Sequence, residues 1–195
     1  MFKQLFQTDL GAINTTLVRQ IQPLFEATRS GGLANIFAVW IVYGLVIDTH
    51  HNSPAMLLAI TVTVLSVIRI LISDEYVRTR NHKKLTLFLG QHLFFTFIIG
   101  AAWGGFSLML ISHDDTAVRN MVFLINFGMI AGSIATLSVW LPAYIAYIAP
   151  QAVCIFTVFA IQGNTISSYM AAAFFIFITI MISTSLKVNR SHKKE

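Results

Sequence analysis

From Asn120 to Leu186 the chain has no Asp, Glu, Lys, Arg or His, a run of 67 residues. Soluble domains carry about 25% charged residues, so water cannot be the surroundings of such a stretch. A bilayer can: a spanning helix needs about 20 mostly apolar residues. The run holds three spans with tight turns, and its breakers fall where three spans need them, at Leu141-Pro142 and Gln162-Gly163-Asn164. Upstream, Ser30 to Ile47 is uncharged, Pro54 to Ser73 is apolar apart from Arg69, and Leu85 to Ser112 carries only His92. The pattern predicts an all-α, polytopic membrane protein with six transmembrane helices, at about 31–48, 54–73, 89–111, 120–139, 142–161 and 166–186. Composition agrees, with 56% hydrophobic residues, 11% charged and a mean hydropathy of +0.73.

The basic residues set the orientation. Cytoplasmic loops collect Lys and Arg. With six spans, one face holds Lys3, Arg19 and Arg29, then Arg78, Arg80, Lys83 and Lys84, then Lys187, Arg190, Lys193 and Lys194, eleven in all; the other holds Arg119 alone. Five or seven spans would put a basic cluster on the wrong face. Both termini are therefore expected in the cytoplasm, and the basic balance reflects the lipid bilayer as partner, with no nucleic acid. Residues 1–30 lack the apolar core of a cleavable signal. Leu10, Ile13, Leu17, Ile21 and Leu24 share one helical face, which reads as an amphipathic cytoplasmic helix bent near Pro23, with a disordered tail as the alternative. The expected organisation is that segment, a membrane domain over 31–186, and a basic cytoplasmic tail over 187–195.

Ionisable groups within the spans are few, and proton or ion pathways usually need them there. Arg69 is expected to snorkel to the interface, or to reach Asp74 or Glu75. His92, in the first turn of the third span on the cytoplasmic side, is expected at the interface rather than as a ligand, and a bis-histidine haem has no second histidine at a facing depth. Gly100 and Gly104 in the third span, and Gly128 and Gly132 in the fourth, form GxxxG pairs that let helix backbones approach. They predict close packing of the third and fourth spans, or a homodimer seam. Pro150 removes a backbone donor within the fifth span. Asn126, Tyr144, Tyr147, Pro150 and Gln151 could line a polar ligand pocket there; a kink that only shapes packing is the alternative. Trp40, Trp103 and Trp140 are candidate interfacial anchors. His50, His51, His113 and Asp114 on the far side carry metal-ligand chemistry without the spacing of a known motif. One cysteine, Cys154, excludes an internal disulfide and a cysteine cage.

No cofactor motif and no catalytic signature is present. There is no phosphate-binding glycine loop and no Gly-x-Ser-x-Gly elbow. Ser107 lacks the histidine at similar depth that a rhomboid-type site requires. The chain is therefore not expected to be an enzyme.

The order of features resembles the six-helix membrane input region found ahead of diguanylate-cyclase (GGDEF) and histidine-kinase domains in bacterial signalling proteins. The similarity rests on Pro23-Leu24-Phe25 before the first span and Val67-Ile68-Arg69 with Tyr76-Val77-Arg78 around the end of the second. It continues with Gly100-Ala101-Ala102-Trp103-Gly104, Gly128 to Ser133, Ala143-Tyr144 with Pro150, and Leu186-Lys187-Val188-Asn189-Arg190. The resemblance implies an inner-membrane sensory domain, acting as a homodimer and joined in cis to a cytoplasmic output domain. No kinase or cyclase domain lies within these 195 residues, so either an excised input domain or a stand-alone relative is expected. The alternative from another class is a small stand-alone transporter or channel subunit.

Overall fold

A computed structural model describes residues 15–47, 52–79, 84–109, 111 and 116–192. All regular structure among them is helical: α1 (Thr15–Val46), α2 (Asn52–Thr79), α3 (Leu85–Met109), α4 (Thr116–Gly132), the single turn α5 (Ile134–Leu137), α6 (Leu141–Gln162) and α7 (Thr165–His192). With α4 and α5 taken together as Thr116–Leu137, six helices are long and apolar enough to span a bilayer. The shortest has 22 residues, about 33 Å at 1.5 Å per residue.

The surface is inverted relative to that of a soluble bundle. Phe37, Leu57, Leu124, Val153, Ile166 and Tyr169 are exposed, whereas Asn35, Arg69, His92, Asn126 and Gln151 are buried. In water that arrangement would be unstable; in lipid the outer residues are solvated by acyl chains.

Two helices show how inward faces are encoded. On α2 the buried positions are Ala55, Ala59, Val62, Ser66, Arg69, Ser73 and Tyr76, stepping by alternate threes and fours. The stripe is apolar in its first half and polar in its second. On α1 the stripe runs Ile21, Phe25, Thr28, Gly32, Asn35, Val39, Val42 and Val46 in the same alternation. It crosses the expected boundary at residues 30 and 31 unbroken. The described part of the N-terminal segment is therefore continuous with the first span, with Pro23 inside the helix. Ile21 and Phe25 pack against Tyr76 and Leu85, and the rings of Phe25 and Tyr76 lie 4.3 Å apart. Leu10 and Ile13 of the expected amphipathic face lie outside the described residues.

The most extensive helix contacts are α3 with α6, α1 with α2, and α2 with α3. A Cβ at Gly100 would overlap the carbonyl oxygen of Tyr147, and one at Gly104 would meet Cys154 Sγ at 2.7 Å and the Pro150 carbonyl at 3.1 Å. The third span's glycines thus admit α6. They do not meet the fourth span, as their matching motif had suggested. Gly128 and Gly132 face open space: a methyl group added at either would have nothing within 4 Å.

Chain reversals follow local chemistry. Pro142 lies in the first turn of α6, after an extended Trp140, and Gly163 closes that helix at φ +58°. Asn164 then caps α7, its Oδ1 accepting from the Ser167 amide at 2.7 Å. The helix α7 is the least buried span. It is held by Phe174 among Phe127, Phe156 and Phe159, and near its end by Asn189, whose side chain is buried. It continues as helix through Lys187 and Arg190.

Candidate functional site

The polar half of the α2 stripe brings Arg69 into the bundle. Its residue is 1% exposed, so it neither snorkels to the interface nor reaches a carboxylate. Asp74 and Glu75 lie off the inward stripe, and Glu75 pairs instead with Arg78 at 2.7 Å on the exposed face. Among the described residues Arg69 has no ion-pair partner. Its Nη1 donates to Thr96 Oγ1 at 3.3 Å, and its Nε has no hydrogen-bond partner. Thr96 in turn donates to the His92 carbonyl at 2.6 Å, which fixes the hydroxyl lone pair toward the guanidinium.

Asn35 of α1 is the second element of the site. Its Oδ1 accepts from Trp103 Nε1 at 2.7 Å and from the Tyr147 hydroxyl at 3.2 Å. Its Nδ2 donates to the Gly31 carbonyl at 2.8 Å. One amide thereby joins α1, α3 and α6. Trp103 is fully buried in this junction, not at an interface.

Arg69, Asn35 and Tyr147 line a cavity of about 250 Å³. Its remaining walls are Ser30, Gly31 and Ala34 of α1, Met129 and Gly132 of α4, and Ser133, Thr136 and Leu137 around α5. Ser30, Ala34 and Gly132 are exposed, so the cavity opens sideways between α1 and α4. Arg69 is the one formally charged group in this lining.

Of the five residues expected to form a ligand pocket, only Tyr147 lines this cavity. Asn126 donates from Nδ2 to Ser107 Oγ at 3.1 Å, a separate polar contact between α4 and α3. Gln151 donates to the Tyr147 carbonyl at 3.1 Å. Tyr144 is buried with its hydroxyl unpartnered. Pro150 packs its ring against Gly100. His92 is fully buried rather than interfacial, its ring 5.6 Å from that of Phe25 at 75°, with neither nitrogen hydrogen-bonded. His50, His51, His113 and Asp114 lie outside the described residues, and no group of three metal-ligand side chains occurs among those described.

Arg69 and Asn35 carry the site, and both were within reach of the sequence. Each falls on a three-four stripe with the apolar residues of its own helix, whereas Asp74 and Glu75 do not.

No family model, no curated protein and no solved structure matches this chain.

Proposed function

We propose that this multi-pass membrane protein is the sensory input domain of a bacterial signal-transduction receptor. In this reading it sits in the inner membrane with both termini cytoplasmic, works as a homodimer, and passes its state through α7 to an output domain of the cyclase or kinase kind joined in cis. One observation carries the reading: Asn189 of α7 donates from Nδ2 to the Val139 carbonyl at 2.5 Å. Val139 lies two residues after Leu137, which closes the cavity wall. A change at the cavity therefore has a short route, α5 to Val139 to Asn189, into a helix that runs unbroken from Thr165 to His192. The largely exposed side of α7 also leaves a face free for a second copy.

The test is a fusion of the chain through its C-terminus to a diguanylate-cyclase reporter. Inserting one to four residues after Leu186 should change output with a helical phase, near 3.6 residues. Asn189→Ala should shift the basal output while leaving the protein in the membrane. Output indifferent to both changes would remove the sensory reading. Arg69-dependent solute flux in proteoliposomes would replace it with the transporter alternative.

A further inference from the structure

We propose that the cavity over Arg69 binds one anionic group, a phosphate or a carboxylate, that enters sideways between α1 and α4. Three observations converge on it. First, a guanidinium is buried among apolar helices with no carboxylate partner among the described residues, and a buried charge is costly unless paired. Second, its Nε is unpartnered, and a guanidinium recognises carboxylate or phosphate through two parallel N–H donors. Third, Arg69 lines a cavity of about 250 Å³, room for an anionic head group when a water's share of liquid is about 30 Å³.

Within the lining, the donors left for a guest are the guanidinium of Arg69 and the weakly held hydroxyl of Thr136. The Tyr147 hydroxyl donates its proton to Asn35 Oδ1 at 3.2 Å and Ser133 Oγ donates to the Ile130 carbonyl at 2.7 Å, so neither proton is spent on a guest. Thr136 Oγ1 makes only a long 3.4 Å contact to the Ser133 carbonyl. That hydroxyl can turn toward an anion at little cost, giving the cavity a second donor besides Arg69.

Position points to a lipid-borne anion. Asp74, the next charged residue on α2, is five residues beyond Arg69, about 7–8 Å along the axis. The guanidinium thus sits inward of Asp74, and the mouth runs from Ser30, beside the exposed Arg29, to the uncharged and exposed Ala34 and Gly132. An amphiphile can present its head group there while its chain remains in lipid. The role of this site as an input rests on the proposed function; the binding itself does not.

The experiment reads binding without any output domain, so the two ideas fail separately. The full chain is placed in phosphatidylcholine nanodiscs and its melting followed by tryptophan fluorescence. Three probes are titrated: inorganic phosphate, oleate and phosphatidylglycerol. A ligand that binds the folded form raises Tm in a dose-dependent way. Oleate or phosphatidylglycerol should do so, with the affinity at least about tenfold weaker in Arg69→Gln, as expected for loss of charge-assisted bonds. Stabilisation by inorganic phosphate alone supports the same site with an aqueous source. The control Gly132→Leu keeps Arg69 and places its side chain where nothing lies within 4 Å of the first carbon. It should fold and obstruct the mouth, and it too should lose the response. No stabilisation by any probe, or an equal response in either variant, overturns the proposal.

Discussion

At the scale of single residues, Asn35 shows how a polar side chain orders an apolar bundle. Its one carbonyl accepts from an indole on α3 and a phenol on α6, so three helices share one register. The energetic value of such bonds in lipid is modest, about 0.6 kcal/mol each on average, because the dissociated helices also find partners. Leaving the two donors buried and unpaired adds to that loss. Asn35→Leu is therefore expected to destabilise by about 1–3 kcal/mol, read as an earlier midpoint in detergent-driven unfolding with a changed Trp103 emission. Unaltered unfolding and emission would mean that the junction contributes nothing. Trp103 also marks a limit of sequence reading. Tryptophan is common at membrane interfaces, and only the long-range bond to a residue 68 positions away identifies this one as a core group.

Among whole elements, the ends of α6 were legible and its neighbour was not. Pro142 and Gly163 act within a few residues of themselves, so their chemistry can be read locally: one lies in the helix's first turn, the other adopts the left-handed conformation that ends it. A GxxxG pair reports only that some backbone comes close, never which. Both pairs looked alike in sequence, yet Gly100 and Gly104 seat α6 while Gly128 and Gly132 face open space. The same substitution should then have opposite signs at the two motifs. Gly100→Ala drives a methyl into the Tyr147 carbonyl, so α3 and α6 must separate, and stability should fall by about 1–3 kcal/mol, the usual cost of overpacking. Gly128→Ala meets nothing and removes a helix-weakening residue, worth up to about 1 kcal/mol in favour of the variant. Thermal or detergent unfolding of the two purified proteins decides it, and equal effects would contradict the pairing of α3 with α6. The N-terminal segment gave the reverse lesson. Of its expected face only Ile21 and Leu24 are among the described side chains, and the three-four spacing from Ile21 through Phe25 and Thr28 continues into the first span, so continuity of the stripe was the information that mattered.

On the scale of the whole molecule, six spans were readable because the bilayer imposes one length and one polarity on every crossing. The way those spans close around Arg69 was not, since burial of a charge depends on which helices meet. Orientation belongs to this scale too, because it is set by loops that never touch one another. Arg69 is inside the bundle; with six crossings, the sequence positions of the other twelve Lys and Arg assign eleven to the face expected to carry the termini and Arg119 to the other. Basic residues resist transfer, at roughly 2.5–3.5 kcal/mol each at the centre of a helix on insertion scales. An inverted protein would have to carry three basic clusters across instead of one residue. Reporter fusions after Lys84 and Lys194 should therefore read cytoplasmic, and fusions after Asp48 and Asp114 should read periplasmic. The fusion after Asp114 is the most discriminating. It follows three spans, so any error in the count of the first half reverses its signal, while the basic cluster from Arg78 to Lys84 is expected to keep the preceding loop inside. A cytoplasmic reading at Asp114, with Lys84 also cytoplasmic, would mean that α3 does not cross. Thr96 and Trp103, which hold Arg69 and Asn35 in the cavity wall, would then sit on a helix lying along the membrane, and the proposed guest would have to be abandoned.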